Sequence, residues 1–244
     1  MDGVRYPVVE LRQYRLRPGQ REVLVELFDR EFVESQEAEG MAVVGQFRDL
    51  DDPDRFVWIR GFASMPARAR ALAGFYGGPA WKANRAQANA TMLDTDDVLL
   101  LRPVSALAGF PVPAAPRPGA AGTGAGQPRV LVTLYFGDRP FDSSFAGFFD
   151  RHVCPVLTET GAPPIARLQT EYAPNTFPAL PVRTGEHVFA WLARFASEDD
   201  LSRHAGRLQR SEQWRDSVLP ALTALLTRAP QQLRLAPTAR SLLR

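Results

Sequence analysis

The chain has 244 residues, 45% hydrophobic and 23% charged, which is the composition of an ordinary globular protein with a sizeable core. A formal net charge of +2, with acids and bases interspersed, provides no basic stripe, so nucleic acid is not an expected partner. The single cysteine, Cys154, excludes an internal disulfide framework, and no apolar run approaches the ~18 residues of a membrane-spanning helix, so a soluble cytoplasmic protein without a leader is expected.

The first predicted element is a strand that begins at Val8 and stops at the Pro18-Gly19 turn. Successive side chains on a strand point to opposite faces. Val9, Leu11 and Gln13 therefore share one face, and Val8, Glu10, Arg12, Tyr14 and Leu16 the other. A carboxylate, a guanidinium and a phenol in one row are either a solvated edge or a functional row. Gln20 to Glu37 has helical spacing of Leu24, Leu27, Phe28 and Phe32, and Gly40 ends it. Met41 to Arg48 and Arg55 to Phe62 read as strands around a polar turn, with Phe56, Trp58, Arg60 and Phe62 on one face of the second. Ser64 is placed to cap a helix starting Met65-Pro66, which Gly77-Gly78-Pro79 interrupts before a further helix over Ala80 to Met92. Val98 to Arg102 closes a β-α-β-β-α-β order, the ferredoxin-like arrangement.

Residues 109–128, half of them Gly or Pro, read as a mobile linker. The remainder repeats the first half. Phe148-Phe-Asp-Arg151 echoes Leu27-Phe-Asp-Arg30 at an offset of 121 residues. The segment His187 to Ser197 echoes Asp54 to Ser64 at an offset of 133, as Trp214 does Trp81. The expected domains are therefore 1–106, a linker over 107–128, and a diverged second copy over 129–244. Ser197 opens the last helical region, Pro220 is placed to kink it, and the tail beyond Pro237 is expected to fray.

The stretch Glu10-Leu-Arg-Gln-Tyr-Arg-Leu-Arg-Pro-Gly19 resembles the start of the NIPSNAP family, as do Val44-Gly-Gln-Phe-Arg48, Phe56-Val-Trp-Ile-Arg-Gly-Phe62 and Phe75-Tyr-Gly-Gly-Pro-Ala-Trp81. The resemblance covers about residues 6 to 103. It implies an α+β fold in which tandem ferredoxin-like repeats form dimeric α+β barrels, two sheets facing each other around a cavity with helices outside. The halves would pair within one chain, as a pseudo-dimer, or with a second copy, as a homodimer. On that analogy Glu10, Arg12, Tyr14, Trp58, Arg60, Phe62, His187 and Trp191 would line the cavity.

For chemistry, His152 in a His-x-x-Pro arrangement is the candidate proton shuttle, or alternatively an axial haem ligand. Arg60 and Arg48 are candidates to hold negative charge, since a guanidinium stays ionised and offers a fork of donors. Tyr14 and Tyr76 are candidate donors to a substrate oxygen. The three histidines lie too far apart in sequence to suggest a metal, and Gly77-Gly78 lacks the context of a phosphate loop. The resulting expectation is an enzyme without a nucleotide cofactor that oxygenates, isomerises or cyclises a hydrophobic, aromatic or polyketide-like substrate. The alternatives are a non-catalytic scaffold and a haem-binding barrel.

Overall fold

The computed structural model describes residues 6–110, 116–119 and 127–244. Among the described residues, eight strands form the sheet: β1 (Val8–Leu16), β2 (Ala42–Asp49), β3 (Arg55–Phe62), β4 (Met92–Pro103), β5 (Arg129–Gly137), β6 (Ala166–Thr170), β7 (His187–Phe195) and β8 (Gln231–Pro237). They close into one barrel in the order β1-β3-β2-β8-β5-β7-β6-β4, every neighbouring pair antiparallel. Each half contributes four consecutive positions, and the seams are β2–β8 and β4–β6. The expectation of two ferredoxin-like sheets facing each other across a cavity is thus corrected to one continuous eight-stranded wall, closed within a single chain.

Helices cover the outside. α1 (Arg21–Leu27), a π-helical turn (Phe28–Phe32) and α2 (Val33–Ala38) run on as one rod. α3 (Met65–Gly77) starts on Ser64, whose Oγ accepts from Ala67 N at 3.2 Å, and Pro79 separates it from α4 (Pro79–Thr91). The second half follows suit with α5 (Ser143–Phe148), a π turn (Phe149–Val153), α6 (Cys154–Thr160), α7 (Glu198–Arg210), a third π turn (Gln213–Val218) and α8 (Leu219–Thr223). Ser197 caps α7 as Ser64 caps α3, with Asp200 N to Ser197 Oγ at 3.1 Å. The first two π turns lie 121 residues apart, the offset of the sequence repeat.

The barrel interior is a filled apolar core. Val9 and Leu11 of β1, Val57 and Ile59 of β3, and Val130, Val132, Leu192 and Leu235 of the second half pack together there. An eight-stranded barrel is narrow enough for side chains to fill its interior. The row Glu10, Arg12, Tyr14 therefore faces the helices, opposite to the expectation that it lines the barrel. Trp58, Arg60 and Phe62 join it there, and Trp191 occupies the same place in the second half. The physical reason is that the helices supply polar partners, Gln36 and Arg68, for the buried charges on that side.

One further expectation is corrected. The tail is not frayed: Thr238 and Ser241 are buried, Leu243 is 7% exposed in the barrel core, and Leu243 N donates to Val44 O at 3.0 Å. The linker over 107–128 lies largely outside the described residues, but Arg117 within it is held. It donates to Val43 O at 2.6 Å and Arg240 O at 2.7 Å and pairs with Glu37. No helix among the described residues is long and apolar enough to cross a membrane.

Candidate active site between sheet and helices

A pocket of about 240 Å³ opens between the first half's sheet and its helices. Strands β1 and β3 supply its floor through Tyr14 and Trp58. The rod over α1 and α2 supplies Leu24, Phe28, Phe32 and Gln36. The wider π turn brings Phe28 and Phe32, four residues apart, onto one face, their ring centroids 6.0 Å apart. Phe75, Tyr76 and Trp81 close another side, and Asn89, Met92 and Asp94 stand toward the end where α4 runs into β4. The aromatic rings meet edge to face or tilted: Phe28 and Trp58 at 4.9 Å, Tyr76 and Trp81 at 4.9 Å, Phe32 and Phe75 at 5.7 Å.

Behind the floor lies a charged cluster with 0% exposure. Glu10 sits across from Arg60 in the β1–β3 register. Its Oε2 accepts from Arg12 Nη1 at 2.8 Å and Arg60 Nε at 2.7 Å, and its Oε1 from Arg68 Nε at 2.6 Å. Burial alone would push the Glu10 carboxyl up, but the pull of Arg60, Arg12 and Arg68 together holds it well below the usual carboxylate range. Three guanidiniums around one carboxylate leave two positive charges uncompensated. Each guanidinium keeps one buried Nη2 without a partner.

This excess is turned toward the pocket through neutral groups. Arg12 Nε donates to Tyr14 Oη at 3.0 Å, so the phenol's own proton is left for an acceptor elsewhere. Burial pushes the Tyr14 phenol up despite Arg12, which keeps it a protonated donor at neutral pH. Arg60 Nη1 donates to Gln36 Oε1 at 3.2 Å. The guanidiniums of Arg60 and Arg12 lie 4.8 and 5.5 Å from the Trp58 ring centroid, and Trp58 Nε1 is buried without a partner.

The second half is an internal control. The barrel register places Leu131 where Glu10 stands, Thr133 for Arg12 and Ala193 for Arg60, while Tyr135 and Trp191 keep the places of Tyr14 and Trp58. At the repeat offsets, Leu201 takes the place of Arg68 and Leu157 that of Gln36. All the charge is gone, and Trp191 Nε1 donates to Tyr135 Oη at 3.0 Å. The indole donor that is satisfied in one half is left free in the other.

Of the sequence-predicted site residues, Tyr14, Trp58 and Tyr76 line the pocket. Glu10, Arg12 and Arg60 lie beneath it, and Phe62 packs under Arg60, whose guanidinium is 5.5 Å from its ring centroid. The remaining candidates are elsewhere. Arg48 is paired with Glu22 at 2.6 Å on the outer surface. His152 is exposed on the second half's π turn, its ring 5.4 Å from Phe148. His187 meets Tyr172 Oη at 2.7 Å at the start of β7, and Trp191 is buried in the second half's core. Sequence reasoning missed Gln36, Asn89 and Leu180 as lining residues and took Phe28 and Phe32 for an ordinary helix stripe. The duplicated Phe-Asp-Arg signature marked that stripe's position; nothing in the sequence marked Leu180.

Residues 9–107 match the NIPSNAP family model. No curated protein matches the chain. Among solved structures, the chain is similar to a candidate monooxygenase of Fusobacterium nucleatum, with a TM-score of 0.56, 8% identity, and 98% of this chain and 94% of that one covered. It is also similar to a candidate monooxygenase of Lactobacillus acidophilus, with a TM-score of 0.53, 13% identity, and 97% of each chain covered. A NIPSNAP family protein of unknown function from Agrobacterium tumefaciens is 22% identical, with a TM-score of 0.38 over 42% of this chain and 94% of that one. The first two likenesses cover nearly the whole chain and establish the two-half α+β barrel as a recurring architecture.

Proposed function

We propose, with residues 9–107 identified as a NIPSNAP domain, that the chain is an enzyme without a nucleotide cofactor that acts on a hydrophobic aromatic or polyketide-like substrate. The substrate sits between the first half's sheet and helices, not inside the barrel. The observation that carries this reading is the buried Arg12–Arg60–Arg68 excess behind the Tyr14 and Trp58 pocket floor, with Trp58 Nε1 buried and unpartnered, and its absence from the repeat. Burying uncompensated charge is costly. A half that needs only stability replaces it with Leu, Thr and Ala, as the second half does.

The chemistry that suits such a site passes through an oxygen-centred anion, a phenolate or enolate. Tyr14 donates to that oxygen, with Arg12 polarising the phenol from behind, and Trp58 Nε1 supplies a second donor. Preorganised donors in a site poor in water act most strongly on charge that develops during reaction. Aromatic walls orient a planar ring and exclude water, which suits oxygenation, isomerisation or cyclisation. The names of the two whole-chain structural neighbours accord with the oxygenating branch.

The test is calorimetric binding of 1-naphthol to the wild type and to Tyr14→Phe. Loss of one hydrogen bond to a charged oxygen is worth ~1.5–3 kcal/mol, so affinity for the naphtholate form is expected to fall roughly tenfold to a hundredfold. Equal binding by both proteins, or no binding of planar phenols at all, would refute the reading. A second reading, binding without turnover, is favoured by the scarcity of proton acceptors: Asp94 is the one acid among the lining residues described. Oxygen uptake and product analysis with bound phenols separate the two.

A further inference from the structure

We propose that the second half completes the first half's pocket, and that residues 171–186 between β6 and β7 form its outer wall and set which ligands fit. The inference rests on the pocket being a ligand site. It explains why two halves with unequal chemistry are joined in one chain.

The connection is long where its repeat counterpart is short. Sixteen residues separate β6 from β7, against five between β2 and β3. A long connection in a compact fold usually carries a function. This one crosses to the first half and is stitched there at both ends: Glu171 N donates to Leu100 O at 2.9 Å and Arg183 N to Val98 O at 2.8 Å, with Arg183 paired to Asp97 at 2.9 Å. Between these anchors Thr176 Oγ1 donates to Met65 O at 3.2 Å, and the Phe177 ring stacks on Tyr76 at 6.0 Å. Leu180 then enters the pocket wall.

Asn175 organises this strap. Its Oδ1 accepts from Phe177 N at 3.0 Å, its Nδ2 donates to Leu180 O at 2.9 Å, and its Oδ1 also receives Arg68 Nη1 at 2.9 Å. Arg68 reaches Glu10 through Nε, Glu10 holds Arg12, and Arg12 holds Tyr14. An unbroken chain of polar contacts thus runs from the strap of one half to the pocket phenol of the other. Arg68 is a positioning residue in this chain, and Leu180 is the specificity residue.

The experiment compares 1-naphthol, with two fused rings, and 9-phenanthrol, with three, by calorimetry on the full chain. Leu180→Ala removes part of the wall and is expected to raise the affinity for 9-phenanthrol relative to 1-naphthol roughly tenfold, the scale of a few methylenes in an apolar pocket. Leu225→Ala, an exposed leucine of the second half, should leave the ratio unchanged. In parallel, hydrogen exchange is followed without ligand at the Leu180 and Arg183 amides, where Asn175→Ala should accelerate exchange. An unchanged ligand ratio in Leu180→Ala overturns the inference while leaving the pocket intact. If 1-naphthol binds neither protein, the functional reading fails instead, and the strap is judged by exchange: unchanged protection in Asn175→Ala overturns it.

Discussion

Glu10→Gln is the most informative single change. The carboxylate holds three guanidiniums at 2.6 to 2.8 Å, and all four side chains are 0% exposed. The amide keeps the shape and one acceptor oxygen but loses the charge. Three buried cations would then face one another without a counter-ion, and breaking a buried pair in this way costs about 3–5 kcal/mol. For a chain of this size that corresponds to a fall in Tm of roughly 6–20 °C. Urea unfolding followed by circular dichroism measures it. The reasoning makes a second, less intuitive demand. Transplanting the repeat's own solution, Glu10→Leu with Arg12→Thr, Arg60→Ala and Arg68→Leu, removes the charge as a set. That quadruple variant should be more stable than Glu10→Gln, because an apolar replacement of a whole buried ion cluster is often neutral or better, and the four sites are too close for their effects to add. It should also lose affinity for 1-naphthol. A Glu10→Gln loss below ~1 kcal/mol, or a quadruple variant less stable than the single one, would refute the argument.

His152→Ala is expected to leave 1-naphthol binding and any turnover unchanged, since the ring is exposed on the second half; steady-state assays would reveal a loss that restores His152 to the mechanism. His204 is buried in the second half, and burial lowers its affinity for a proton below the usual histidine value. The unfolded chain therefore binds more protons than the fold as pH falls through ~6.5, so stability contributed by neutral His204 is full above that pH and is lost below it. His204→Gln should flatten the stability profile in that window, as urea titrations at several pH values would show. Leu243→Ala empties a position in the barrel core and should cost at least ~2 kcal/mol by the same unfolding assay; no effect would mean that the tail is not seated in solution.

The alternation of Val9, Leu11 against Glu10, Arg12 fixed that β1 has two unlike faces, and the Phe-Asp-Arg and Phe-Ala-Ser echoes pointed to a duplication without any structure. The Pro-Gly turn, the Ser64 cap and the Gly77-Gly78-Pro79 break likewise follow from backbone chemistry that acts over a few residues. Periodicity cannot say which face meets the helices, because a period of two is unchanged when the faces are exchanged. That choice depends on what the rest of the chain offers. The barrel interior here is packed mainly with apolar side chains, and Gln36 and Arg68, distant in sequence, supply the partners that let Glu10, Arg12 and Arg60 be buried on the helix side. The wall residue Leu180 and the seating of Leu243 were equally beyond local reading. Both are made by contacts across the full length of the chain, between segments whose proximity exists only once the two halves have closed a single sheet.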